Sequence, residues 1–186
     1  YRCDIITSFI KEVVDAVHKI DKELWISTAT YPDVVLSKNT IFQDIVGLAE
    51  SGYIDEMFSM SYGIETDSVM ISVNDYLGIT DSKTFYSAGI AAFLGTAQLT
   101  FADQLATVTK AGVDGLSVFS LGSIRPNTYQ YQMTNGSYRE HAVQVYKISI
   151  TASAQMDYIL EKLDNISSIC NELDLEDFDF IKNQCM

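Results

Sequence analysis

Four aromatic residues, Tyr31, Tyr62, Phe93 and Phe119, each stand where an apolar, strand-like stretch runs out into a loop: three adjoin a hydroxyl, glycine or proline, in Tyr31-Pro32, Ser61-Tyr62-Gly63 and Phe119-Ser120, and Phe93 ends "GIAAF". Such a set suits the binding of a ring-shaped, polar ligand, because an aromatic face stacks on the ligand ring while a phenol or serine hydroxyl hydrogen-bonds to its polar groups. The stretch "IDEMFSMSYG", residues 54–63, shows how the set is positioned. Side chains alternate along a strand, so Phe58, Met60 and Tyr62 share one face and Met57, Ser59 and Ser61 the other, which brings Tyr62 to the rim with Gly63 to turn the chain. An acid placed just beyond such an end could take part in acid–base chemistry. Glu65 is in that position, with Asp33 next, and Glu65 fits a catalytic carboxylate, a ligand for a sugar hydroxyl or a solvated loop acid preceding a helix.

The same ends lack other chemistries. Lys83 precedes its strand, and His18 and His141 fall in stretches of helical period, so no strand end offers a lysine, histidine or cysteine. This argues against a Schiff-base aldolase, a thiol nucleophile and a histidine metal site, and no cofactor is implied. An aromatic, hydroxyl-bearing, uncharged wall suits a sugar better than a phosphorylated metabolite.

The elements that position these residues follow a period. Strand-like stretches begin at Leu24, Ile54, Thr84 and Gly115, and a strand plus a helix every ~30 residues is the βα unit, whose right-handed crossovers make neighbouring strands parallel. Between them lie helical stripes: Ile6, Phe9, Ile10, Val13, Val14 and Val17 before the first strand, and Ile41, Ile45, Leu48 and Ala49 before the second. Asn39 or Thr40 is the expected cap of the second helix, with Gly52 ending it. Thr100 with Asp103 is expected to open the fourth and Gly112 to close it. The joints "ESGYID" and "KAGVDG" repeat one pattern and set Asp55 and Asp114 at the N-terminal ends of strands. In a parallel β/α barrel that end serves stability, so both are expected to be structural.

With 186 residues, 47% of them hydrophobic, the chain can bury a sizeable core, and a formal charge of −13 makes nucleic acid or an anionic membrane a poor partner. No apolar run reaches the ~18 residues of a membrane span. Three scattered cysteines, Cys3, Cys170 and Cys185, neither form a disulfide framework nor fix a compartment.

The succession "YRCDIITSFIKEVVDAVHKIDKELWISTATYP", "LAESGYIDEMFSMSYG", "YSAGIAAF" and "VTKAGVDGLSVFSLGSI" resembles the C-terminal half of the glycoside-hydrolase-like barrel proteins of family ten, which pair a Met-x-Tyr strand end with a Gly-x-Ala-Ala-aromatic strand. It is more weakly similar to chitinase-type barrels, whose Met-x-Tyr-Asp has Gly63 in its last position here and whose tryptophan has Phe119. The resemblance implies an α/β chain in which residues 1–125 are the C-terminal half of a (β/α)8 barrel, strands five to eight, and residues 126–186 a connecting segment, C-terminal helices and an acidic tail. It implies a parent acting on a polysaccharide or cell-wall glycan, outside the cell or at its envelope. Tyr62, Tyr31, Phe93, Phe119, Ser120 and Glu65 would then contact the carbohydrate ligand. The acid–base carboxylates of such barrels include residues ending the fourth strand, upstream of Tyr1, so this fragment alone is expected to be inactive and to need its missing N-terminal half or self-association. Two other readings stay open. One is a non-catalytic glycan-binding or structural pseudoenzyme. The other is a metabolic barrel enzyme holding phosphate on "SLGSIR", through Gly122, Ser123 and Arg125, although "FLGTAQLT" lacks the double-glycine turn expected beside such a site.

Overall fold

Each βα period becomes one strand and one crossover helix in the computed structural model, which describes residues 1–81, 83–124, 129–139, 156 and 159–163. Four strands, β1 (Ser27–Thr30), β2 (Glu56–Ser59), β3 (Phe85–Ala91) and β4 (Gly115–Phe119), form one parallel sheet in sequence order. Thr30 pairs with Ser59, Phe58 with Ser87, and Ala91 with Phe119. The predicted parallel sheet is thus present, and β1 is one of its edges.

Helix α1 (Arg2–Ile20) precedes β1, α3 (Ile45–Ser51) precedes β2, α4 (Thr66–Thr80) links β2 to β3, and α5 (Gln98–Lys110) links β3 to β4. Two starts differ from the sequence expectation. The crossover from β1 to β2 first makes a short helix, α2 (Val34–Leu36), running into a π-helical turn over Ser37–Ile41. The cap of α3 is Asp44, whose carboxylate accepts the Gly47 N–H at 3.2 Å, while Thr40 turns its hydroxyl back onto the Leu36 carbonyl at 2.6 Å. Helix α5 starts at Gln98 rather than Thr100, with Ala97 before it, because Asp103 is engaged by the Thr66 hydroxyl instead of capping. Gly52, left-handed at φ +69°, ends α3 as expected.

The helix-facing side of the sheet is the core. Met57, Tyr86, Ala88 and Ile90 from the strands meet Ile45, Leu48, Val69, Val73, Phe101, Leu105 and Val108 from the helices. Each valine, leucine, isoleucine, phenylalanine or methionine among them, fully removed from water, contributes about 1.5–3 kcal/mol. Of the α1 stripe, Val14 is buried and Ile10 packs on the core, whereas Phe9 and Val13 remain exposed, with Ile5 beside them. Helix α6 (Tyr129–Thr134) packs on α5 through the Tyr129 and Phe101 rings, whose centroids lie 4.3 Å apart.

The hydroxyls of "IDEMFSMSYG" also face the helices. Tyr86 Oη, Ser59 Oγ, Ser61 Oγ and Ser72 Oγ form a buried chain of contacts of 2.7, 2.7 and 2.8 Å, which ends on the Pro32 carbonyl at 3.0 Å. Tyr76 stacks on Tyr86 at 5.2 Å and donates to the Tyr31 carbonyl at 2.6 Å. Polar residues inside this stretch therefore serve packing: they tie the loop after β1 to β2, β3 and α4, with each buried hydroxyl partnered.

Two compact units divide the chain, Tyr1–Arg139 and Glu140–Met186. In the second, Met156 and residues 159–163 are helical. Arg125, the stretch "VQVYKI", Ile166, Ile169, Cys170, Cys185 and the acidic, aromatic end lie outside the described residues.

Candidate functional site

Parallel strands deliver their C-terminal ends to one edge of the sheet, and that edge gathers three of the four expected aromatics. Tyr62 meets Phe93 edge to face at a centroid distance of 5.3 Å and Phe119 in a stacked contact at 6.0 Å, and Phe93 and Phe119 close the triangle at 6.1 Å. Phe93 is 48% and Phe119 57% exposed, a costly arrangement for two phenyl rings that have nothing to do but fold. Tyr62 is half-buried, and loss of hydration pushes its phenol above the ordinary tyrosine range, so it stays a neutral hydroxyl able to donate and accept.

Why the three rings meet is visible in the backbone. Gly89, on the face of β3 opposite the helices, lies under the Tyr62 ring. A Cβ there would fall closer than 3.0 Å to the Ser59 carbonyl oxygen and 3.5 Å from Tyr62 Cε1. Glycine at this position lets Tyr62 fold back over β3 towards Phe93. On the other side of the loop, the fully buried Gln104 of α5 donates its amide to the carbonyls of Gly63 and Ile64 at 3.0 and 3.1 Å, fixing the turn that leaves Tyr62. Thr66 Oγ1 to Asp103 Oδ2, 2.6 Å, ties the start of α4 to the same helix.

The remaining expected residues are distributed differently. Tyr31 is half-buried at the end of β1, with its N–H on Gln43 Oε1 at 2.9 Å and its carbonyl on Tyr76. Among the described residues no ring contact joins it to the triangle. Ser120 follows Phe119 and accepts the Ser123 N–H on its carbonyl at 2.8 Å, opening a 3₁₀ turn over Leu121–Ser123. Glu65 is exposed at the N-cap of α4, and Asp33 caps α2 by accepting the Leu36 N–H at 2.8 Å.

At the opposite edge the acids hold backbone. Asp55 accepts the Ile26 N–H at 2.7 Å, and Asp114 accepts the Tyr86 N–H at 2.8 Å. Glu56, between them on the open face, receives Ser87 Oγ at 2.6 Å and Trp25 Nε1 at 3.2 Å. For Asp55 and Asp114 these are the structural roles that their position before the strands predicts.

Sequence reasoning gave neither Gly89 nor Gln104 a contact role. Gln104 had a signal, since it is a polar residue within the otherwise apolar stripe Phe101, Leu105 and Val108. Gly89 entered only as the glycine of the Gly-x-Ala-Ala-aromatic strand. Among the described residues no group of three or more His, Cys, Asp or Glu side chains is placed to hold a metal ion, and no helix is long and apolar enough to cross a membrane. No family model matches the chain, and neither curated proteins nor solved structures give a match.

Proposed function

We propose that the chain is one wall of a carbohydrate cleft, the portion comprising strands five to eight of an eight-stranded β/α barrel related to glycoside hydrolases, whose parent acts on a polysaccharide or cell-wall glycan. The observation that supports this most is the Tyr62–Phe93–Phe119 triangle at the C-terminal ends of three parallel strands, with two rings exposed and a neutral phenol between them. That is the edge at which β/α barrels bind their ligands. A sugar ring offers C–H faces to Phe93 and Phe119 and hydroxyls to Tyr62. The exposed flank of α1 (Ile5, Phe9 and Val13) and the unpaired edge of β1 are the surfaces on which an N-terminal half barrel, or a second copy, would pack.

A second reading, glycan binding without hydrolysis, rests on the acids. Asp33, Asp55 and Asp114 are engaged with backbone N–H groups, and Glu56 with Trp25 and Ser87, leaving Glu65 and, in the first turn of α4, Asp67 as exposed acids beside the loop of Tyr62. One experiment addresses both readings. Soluble chito-, cello- and peptidoglycan-derived oligosaccharides are titrated into the chain and into Phe93→Ala and Phe119→Ala, with product analysis of each mixture. Saturable binding that drops about tenfold in either variant supports the cleft. Binding without cleavage by this chain is expected under both readings, cleavage of the bound glycan excludes the second, and no binding of any of the three glycan classes rejects the cleft.

A further inference from the structure

The face of the sheet turned away from the helices carries one charge. Strands β1 to β4 contain no lysine, arginine or histidine, and Glu56 is their single charged residue. Its carboxylate is built into the face: Oε1 accepts Ser87 Oγ at 2.6 Å, and Oε2 accepts Trp25 Nε1 at 3.2 Å. Gly115 on β4 leaves the room, since a Cβ there would fall closer than 3.0 Å to Ser87 Oγ and stand 4.0 Å from Glu56 Oε1. A hydroxyl and an indole are neutral donors, so they hold the carboxylate without cancelling its charge. Asp55 and Asp114 add negative charge at the same ends of the strands, and Lys83, just before β3, is paired with Glu50 at 3.6 Å.

Glu56 is half-buried, so water still reaches it. A body that covers this face removes that water, and a desolvated carboxylate without a counter-charge is strongly disfavoured. This separates the two bodies that could complete a barrel. Were two copies of the chain to close one barrel, the barrel axis would be their twofold axis, and each interior side chain would look across it at its own copy. Glu56 would then face Glu56, with no cation on either set of strands to separate them. A different half barrel with a lysine or arginine at that level turns the same geometry into attraction.

We propose, building on the half-barrel reading, that the open face of the sheet docks a half barrel other than this chain, one that brings a lysine or arginine to the level of Glu56, and that Glu56 is the residue that turns away a second copy.

The chain itself supplies the probes. Glu56→Lys is a half barrel of the same shape with a cation at the required level. Ser27 is exposed and pairs with Glu56 in the register of β1 and β2, so Ser27→Lys sets a cation beside Glu56 and leaves its bonds to Ser87 and Trp25 in place. Sedimentation velocity over a concentration series compares the native chain, Ser27→Lys, and an equimolar mixture of the native chain with Glu56→Lys, each chain first checked for a cooperative melt. Trp25, the only tryptophan, reports on this face by its emission. The expected result is association at least about tenfold tighter in Ser27→Lys and in the mixture than in the native chain alone, with a blue shift of Trp25 that the sum of the separate spectra lacks. If Glu56→Lys does not melt cooperatively, Ser27→Lys decides. Native chains that pair as tightly as Ser27→Lys, with the same shift of Trp25, would keep the half barrel but overturn the need for a cation. Association that leaves Trp25 unshifted overturns the proposal by placing the contact elsewhere, and no association in any sample removes this face as an interface, and the half-barrel reading with it.

Discussion

Asp55 grips Ile26 twice: its carboxylate accepts the Ile26 N–H at 2.7 Å and its own N–H donates to the Ile26 carbonyl at 2.8 Å. Asp114 does the same to Tyr86, at 2.8 and 2.9 Å. The repeated joints "ESGYID" and "KAGVDG" are thus one device used twice, a side chain extending the ladder by one bond where two strands begin. Replacing either aspartate by alanine should lower stability by about 1–2 kcal/mol, and asparagine, which keeps an acceptor, should cost less. Urea denaturation checks this, and ligand binding per folded molecule should not change.

Gly89→Ala and Gly78→Ala form a contrasting pair. The first places a methyl group against the Ser59 carbonyl and the Tyr62 ring, whereas at Gly78, in α4, a Cβ meets nothing within 4 Å. Gly89→Ala is expected to destabilise by about 1–3 kcal/mol and to alter the near-ultraviolet dichroism of the aromatic triangle. Gly78→Ala should be neutral or stabilise by up to about 1 kcal/mol through helix propensity. Similar losses in both would mean that Gly89 is not a contact position.

The sheet was legible in the sequence because the strand and helix patterns recur at a nearly constant interval, and that interval fixes parallel neighbours. The meeting of Tyr62, Phe93 and Phe119 followed from it, since parallel strands end on one edge. Tyr31 shares the placement but not the contact, because its backbone is held by Gln43 and Tyr76. Alternation separated Ser59 and Ser61 from Tyr62, but alternation alone does not tell which face meets the helices. The capping error at α3 has a local cause: Asn39, Thr40 and Asp44 are all good cap residues, and only the π-helical turn before Asp44 decides among them. Gln104 was hidden because its partners, Gly63 and Ile64, lie some forty residues away along the chain.

Gln104→Leu should free the turn after Tyr62. Its amide serves two carbonyls, so an apolar replacement of similar size leaves both without this donor, at a cost of about 1–3 kcal/mol. Faster hydrogen exchange of the amides over Gly63–Val69, with the β3 amides unchanged, is the expected signature. Uniform acceleration throughout the sheet would instead mark a global loss of stability.

Alkaline stability should be set by buried phenols. Burial pushes Tyr86 up to about 12 from an ordinary value of 10.0, and burial raises Tyr76 and Tyr62 as well. The native state then holds protons that the unfolded chain releases. Their contribution to stability is complete below pH 10 and is lost as pH rises from there through the native values. The slope is up to about 1.4 kcal/mol per pH unit for each tyrosine. Urea midpoints at pH 8, 10, 11 and 12 test this, and Tyr86→Phe should flatten part of the fall.

The buried hydroxyl chain has a single direction. Ser72 donates to the Pro32 carbonyl, which accepts only, so the one proton of Ser72 is committed and it must accept from Ser61. Ser61 must then accept from Ser59, and Ser59 from the Tyr86 phenol. Four protons are ordered head to tail from β3 to the loop after β1, and none can reverse without the others. The element that looked like polar residues misplaced in a strand is therefore a molecular one-way line: it polarises each O–H in turn, and it makes the protonation of one tyrosine and the position of a proline carbonyl two ends of the same object.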